Sequence, residues 1–207
     1  VFGASGKAGR MVASPLARSI RLEPRRVLER IERDFGGSHL NRVLRYLAQP
    51  SVSALNWGVE EMAELLAEDI RALGGTASVV ETAELPVVFG RVGDGADKTL
   101  LFHGLYDVTP ADEPEWATPP FEPQIRQIEG IGRCVIGRGA EDMKTPIAAA
   151  MNVIASFRAC REPLPVDVMF VLEASELGSG GIREFVPRYA EELRQAAALF
   201  RITDLRI

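Results

Sequence analysis

The segment VDVMFVLE, residues 166–173, constrains the fold of this chain more than any other stretch. It is a near-continuous apolar run, which is typical of a central β-strand that is covered on both faces. A strong helical pattern precedes it, KTPIAAAMNVIASFRAC (144–160), and a second one, interrupted at Pro187, follows at 180–198. The sequence therefore predicts an α/β fold, a layered sheet with helices on both faces.

The rest of the chain continues this alternation of helices and strands. Apolar residues at helical spacing predict helices in the segments 24–35, 40–50 and 59–75. Short β-rich runs predict strands in ASVVE (77–81), PVVFGRV (86–92), TLLFHG (99–104) and LFRITD (199–204). No linker interrupts the pattern, so we expect a disordered N-terminal segment, 1–24, and one domain over 25–207.

Composition excludes several classes of function. The 207 residues are 46% hydrophobic and 26% charged, which is ordinary for a globular chain. The net charge of −5 gives no basic field for nucleic acid, and no apolar run is long enough to span a membrane. The two cysteines, Cys134 and Cys160, fit no metal-binding spacing and favour a reducing compartment, so we expect a cytoplasmic location.

Three acidic loops lie where a sheet of this kind binds ligands, beyond strand ends or at the start of a helix. They contain Asp107 in FHGLYD, Asp142 in GRGAEDMK, and Glu173 with Glu176 in VLEASELGSGG. Carboxylates that gather in this way can bind one or two divalent cations and activate water. Taken alone, Asp142 is also a candidate helix N-cap and the glutamates are candidate solvated residues. The occurrence of three such loops in order favours a site.

Four motifs resemble, in order and spacing, those of the M20 family of metallopeptidases: FHGLYDVTP, EWATPPFEP, GRGAEDMK and VLEASELGSGG. The resemblance covers about residues 25–204. It implies part of a zinc-exopeptidase catalytic domain, truncated here, without the family's lid or dimerisation domain and its C-terminal part. It also implies two zinc ions and the hydrolysis of a dipeptide or an N-acyl amino acid.

The resemblance assigns roles only at matching positions. Asp107 matches the aspartate that orients a metal-binding histidine, and Asp142 matches the carboxylate that bridges the two zinc ions. Glu176 stands where the family has two adjacent glutamates, a general base and a metal ligand, so it inherits one of these roles. Asp204 matches a further ligand. The position of the metal-binding histidine itself, two residues before Asp107, is Leu105.

His103 is a candidate replacement for the missing imidazole. In a regular strand, positions 103 and 105 share a face, but a shift of two residues moves the ring by about 6.5 Å along the strand. Zinc–nitrogen bonds of about 2.0–2.1 Å tolerate little displacement, which favours a local hydrogen bond for this histidine over zinc ligation. The resemblance further implies a cis peptide between Asp142 and Met143, and we expect Asp107, Asp142, Glu176 and Asp204 at one edge of the sheet.

Three functional hypotheses follow. The first is a fragment or degenerate copy of an M20 hydrolase with impaired catalysis, acting on a small peptide or N-acyl amino acid. The second is a non-catalytic protein that keeps the fold and pairs with an intact relative. The third is an NAD(P)-binding protein, based on the spacing of Gly3, Gly6 and Gly9. The oligomeric state stays open.

Overall fold

The computed structural model describes residues 24–175 and 181–201. Its helices are α1 (Pro24–Asp34), α2 (Leu40–Ala48), α3 (Val59–Ala72), α4 (Lys144–Cys160), α5 (Ile182–Arg188) and α6 (Ala190–Leu193). Its strands are β1 (Thr76–Val80), β2 (Val87–Val92), β3 (Thr99–Leu105), β4 (Gln124–Ile128), β5 (Gly132–Ile136), β6 (Asp167–Glu173) and β7 (Ala196–Arg201). A π-helical turn, Phe35–His39, joins α1 to α2, and a short 3₁₀ turn, Ser53–Leu55, precedes α3.

Five of the strands form one mixed sheet in the order β1-β2-β6-β3-β7. The strand predicted from the apolar run, β6, is at its centre, antiparallel to β2 and parallel to β3. Because β3 and β6 are parallel and paired from Thr99 with Asp167 to Leu105 with Glu173, their carboxyl ends meet at the same edge. This edge carries the candidate site.

Helices cover both faces of the sheet, as predicted. On one face α2, α3 and α4 bury a large core that includes Met62, Ile70, Met151 and Phe170. On the other face a smaller core, centred on Phe185 of α5, packs against Val87 and Val171. Neighbouring residues of β2 therefore serve different cores, Val87 the smaller one and Val88 the larger one.

The sequence patterns did not predict the antiparallel hairpin of β4 and β5. Its strands QIRQI and GRCVI are mostly exposed or half-buried, so they lack the apolar run that revealed the other strands. Gly130 in its turn and Gly132 at the start of β5 both have positive φ (77° and 108°). The hairpin matters because it forms a wall of the cavity described below.

Some expectations fall outside the described residues. Gly3, Gly6 and Gly9 lie in the segment 1–23, and Glu176 and Asp204 lie in 176–180 and 202–207. Within the residues that the structure describes, no helix combines the length and hydropathy needed to cross a membrane.

Candidate active site

Asp107 lies two residues beyond the end of β3 and is buried, with 5% of its surface exposed. Both of its carboxylate oxygens accept hydrogen bonds from one residue. The backbone N–H of Ser53 donates to Oδ1 at 2.9 Å and the Ser53 hydroxyl donates to Oδ2 at 2.6 Å. The loop between α2 and α3 therefore fixes the orientation of this carboxylate.

Asp142 lies in the turn that leads into α4 and is half-buried. The Asp142–Met143 peptide is cis, as the family resemblance implied. The alternative interpretation of Asp142 as the helix N-cap is wrong, because the helix begins at Lys144 and Met143 occupies the N-cap position. Asp142 is instead one of the residues that line a cavity.

This cavity has a volume of about 600 Å³. Its walls come from three parts of the chain, namely the segment after β3, the strand β5 and the GRGAED turn. Among the residues that line it are Val108, Thr109, Trp116, Val135, Arg138, Glu141 and Asp142. A volume of this size is in the range of pockets that hold small molecules.

Arg138 holds the loop that faces the cavity. Its Nη2 atom donates to the carboxylate of Glu113 at 2.6 Å and to the carbonyl oxygen of Pro110 at 3.0 Å. Its guanidinium also lies over the Trp116 ring, 5.0 Å from the centroid. Hydrogen bonds from the Trp116 indole and from Arg138 lower the pKa of Glu113 to about 2. The side chains of Arg138, Glu113 and Trp116 thus form one charged cluster at the cavity wall.

Lys144 is the functional candidate that the sequence analysis missed. Its side chain is fully buried, and its ammonium donates to the carbonyl oxygens of Tyr46, at 3.1 Å, and of Gln49. Burial lowers the pKa of this ammonium to about 7, while the negative charge of Asp107 acts in the opposite direction. The one available sequence signal was a lysine at the start of an otherwise apolar helix, directly after an acidic motif.

His103 is held by another residue of the sheet. Its Nε2 atom lies 2.8 Å from Oε1 of Glu173, and both side chains are largely buried. The hydrogen bond expected for this histidine is therefore present, but its partner lies on the neighbouring strand β6 and is not local in sequence. Leu105, the residue at the family's histidine position, is also buried, with 8% exposed.

The described residues do not by themselves fit a zinc site. Within 24–175 and 181–201, no group of three or more histidine, cysteine, aspartate or glutamate side chains is placed to hold a metal ion. The carboxylates of Asp107 and Asp142 offer oxygen only, whereas zinc in proteins also favours nitrogen or sulfur ligands. The two other predicted ligands, Glu176 and Asp204, lie outside the described residues.

Comparison with known proteins agrees with the motifs. The family model described as peptidase family M20/M25/M40 matches residues 101–203. The Cys-Gly metallodipeptidase DUG1 of Candida albicans is 33% identical over 184 residues, which cover 80% of this chain and 37% of that protein. The chain belongs to the M20 family.

Further M20 relatives include the human Beta-Ala-His dipeptidase, which is 33% identical over 122 residues, 58% of this chain and 23% of that protein. Among solved structures, human carnosine dipeptidase 1 superposes with a TM-score of 0.77 at 25% identity, over 88% of this chain and 42% of that one. The dipeptidase Dug1p of Saccharomyces cerevisiae gives a TM-score of 0.76 at 27% identity, over 86% and 40%. The chain thus spans less than half the length of these M20 relatives.

Proposed function

We propose that this chain forms part of the catalytic domain of an M20-type hydrolase that acts on dipeptides or N-acyl amino acids. The observation that carries the proposal is the 600 Å³ cavity that has Asp142 in its lining and opens beside the segment after β3. The relatives named as Cys-Gly and Beta-Ala-His dipeptidases support a small peptide as the substrate class.

In this proposal the residues of the chain have separate tasks. Asp142 presents a carboxylate to the cavity, and Asp107 is a buried carboxylate that is fixed by Ser53. Trp116 and Arg138 form the wall against which a peptide lies. Glu176 is the remaining candidate for the general base or a metal ligand, and Asp204 for a further ligand.

We further propose that the chain binds zinc weakly and lacks measurable peptidase activity. Leu105 offers no nitrogen ligand, and the proposed donors, apart from His103, are carboxylates, which suit hard cations such as Mg²⁺ or Ca²⁺ better than zinc. His103 is a poor substitute because its Nε2 atom is held by Glu173.

Calorimetric zinc titration, combined with hydrolysis assays on Cys-Gly and β-Ala-His, tests this proposal. We expect weak zinc binding that is lost in Asp142→Asn, and no hydrolysis above background. Asp97→Asn is the matched control, because Asp97 is exposed in a loop between β2 and β3. Zinc-dependent hydrolysis by the unmodified chain would contradict the proposed impairment, and equal zinc binding by both variants would remove Asp142 from the site.

The second candidate is a non-catalytic protein that keeps the M20 fold and pairs with an intact relative. The buried leucine at position 105 favours it, because an apolar side chain stands at the end of β3 where the resemblance implies a ligand. In the same titration, an unmodified chain that binds no zinc at all would support this candidate over the first.

A further inference from the structure

Lys144 joins the start of α4 to the end of α2. Its ammonium lies at the carbonyl oxygens of Tyr46 and Gln49, which are among the last carbonyls of α2 and its cap. Carbonyl groups at a helix C-terminus carry partial negative charge, so they stabilise a cation there. A buried lysine with no such partners would be strongly destabilising.

The chain that follows α2 continues this connection to Asp107. The Ser51 hydroxyl donates to the carbonyl oxygen of Tyr106, and the Ser51 carbonyl accepts from the N–H of Val108 at 2.9 Å. Ser53 then donates both its N–H and its hydroxyl to the Asp107 carboxylate. The loop between α2 and α3 is therefore bonded to three consecutive residues after β3.

The GRGAED turn packs against the same lysine. Gly139 has φ of 86°, and a Cβ atom at this position would lie 3.0 Å from Cγ1 of Val108 and 3.2 Å from Cδ of Lys144. The turn that carries Asp142 is thus in close contact with the Lys144 stem and with the residue after Asp107.

We propose that Lys144 and Ser53 are positioning residues that hold Asp107 and the turn carrying Asp142 in a fixed arrangement without a bound cation. This arrangement, made of the bonds just described around Lys144, Ser51 and Ser53, is called the frame. The Asp107 carboxylate accepts two hydrogen bonds from Ser53, and the Lys144 ammonium donates to the carbonyl oxygens at the start of the same loop. Many metal sites form only when the ion binds, because the ligands repel one another without it. Because these bonds come from the chain itself, we expect the same arrangement whether or not zinc binds.

Amide hydrogen exchange, followed by NMR on the whole 207-residue chain, tests the proposal. The amides of Ser53 and Val108 report the frame directly, because their N–H groups donate to Asp107 and Ser51. We expect both amides to be protected in the presence of EDTA, and added zinc to change their exchange rates by less than about twofold. Protection that appears only with zinc would overturn the proposal.

Substitution of Lys144 separates positioning from global stability. In Lys144→Met the Ser53 and Val108 amides should exchange at least about tenfold faster relative to the amides of β6, which report global unfolding. Lys98→Met is the matched control, because Lys98 is exposed. Unchanged relative exchange in Lys144→Met would overturn the role of Lys144, even where the variant is globally as stable as the unmodified chain.

Substitution of Ser53 tests the other half of the proposal, the hydrogen bond from the Ser53 hydroxyl to Asp107. Ser53→Ala removes one donor to Asp107 and should shift the ¹³C resonance of the Asp107 carboxylate, whereas Ser53→Thr keeps the hydroxyl and should restore it. Ser78→Ala, on the exposed side of β1, is the control. A carboxylate resonance that is unmoved in Ser53→Ala, or that is equally shifted in Ser53→Thr, would overturn the role of the Ser53 hydroxyl.

Discussion

The imidazole of His103 and the carboxylate of Glu173 form a largely buried pair, 2.8 Å apart, between adjacent parallel strands. The strand register places His103 beside Val171, so the hydrogen bond runs diagonally to the end of β6. Within the described residues, the second oxygen of Glu173, Oε2, has no hydrogen-bond partner. His103 therefore has a specific role in the sheet, because it forms a hydrogen bond with one oxygen of this buried carboxylate.

Replacing His103 tests that role. His103→Leu leaves the Glu173 carboxylate without its imidazole partner and should lower the free energy of unfolding by about 1–3 kcal/mol. Urea denaturation at pH 7 measures the change. The double variant His103→Leu/Glu173→Leu should recover much of the loss, because removing both partners avoids an unsatisfied buried group. A single variant as stable as the unmodified chain would show that the pair contributes nothing.

Gly139 offers a comparison with a second glycine of similar backbone conformation. Gly95 has φ of 80°, close to the 86° of Gly139, but a Cβ atom there meets nothing within 4 Å. Gly95→Ala should cost about 1–2 kcal/mol, the penalty of a left-handed conformation. Gly139→Ala should cost about 1–3 kcal/mol more, because its methyl group also presses on Val108 and Lys144. Equal losses of unfolding free energy would mean that the GRGAED turn is free to move away.

The surroundings of Asp69 predict how the free energy of unfolding depends on pH. Burial alone would raise the pKa of Asp69, but hydrogen bonds from Tyr46 and Arg45 and the charges of Arg45 and Arg42 lower it below the usual value. Since the folded-state pKa is depressed, this carboxylate stabilises the fold above its ordinary pKa of 3.8, and that contribution is lost as the pH falls through the folded-state value.

The variant Asp69→Asn should therefore be less stable than the unmodified chain at pH 7, by about 1.5–3 kcal/mol, the worth of hydrogen bonds to a charged group. Its loss of stability below pH 4 should also be shallower. Urea midpoints at pH 7, 4 and 3 measure both effects, with Asp97→Asn as an exposed control. Parallel acid profiles for Asp69→Asn and the unmodified chain would contradict the assignment.

The strongest sequence patterns predicted the fold correctly. The apolar run of β6 identified the central strand, and helical periodicity identified α3 and α4, because each of these elements buries a continuous face. The β4–β5 hairpin gave no such signal, since every residue of its two strands is exposed or half-buried. Periodicity reports burial, and it does not identify an element that buries little.

The candidate site was predictable only in part. The motifs indicated Asp107 and Asp142, because carboxylates after strand ends are recognisable in the sequence. The role of Lys144 could not be predicted from the sequence. Its partners are the backbone carbonyl oxygens of Tyr46 and Gln49, which lie about a hundred residues away along the chain. The bond between His103 and Glu173 was expected only as a local interaction, because its partner depends on the parallel register of β3 and β6.

From the family resemblance we infer that position 105 has lost the nitrogen ligand of an M20-type site. Leu105 ends β3, and its register partner is Glu173, so an imidazole in its place would stand at the edge of the sheet where β3 and β6 end. Leu105→His should restore one nitrogen ligand. It should not restore hydrolysis, because one glutamate of the family's pair is still missing.

Calorimetric zinc titration of the unmodified chain and of Leu105→His tests this claim most directly. Leu101→His is the control, because Leu101 lies on the same strand and the same face, four residues before the site. We predict that Leu105→His binds zinc at least about tenfold more tightly than the unmodified chain, equivalent to about 1.4 kcal/mol, while Leu101→His shows no gain. Equal zinc affinities for the unmodified chain and Leu105→His would contradict the claim, because they would mean that position 105 does not face a metal site.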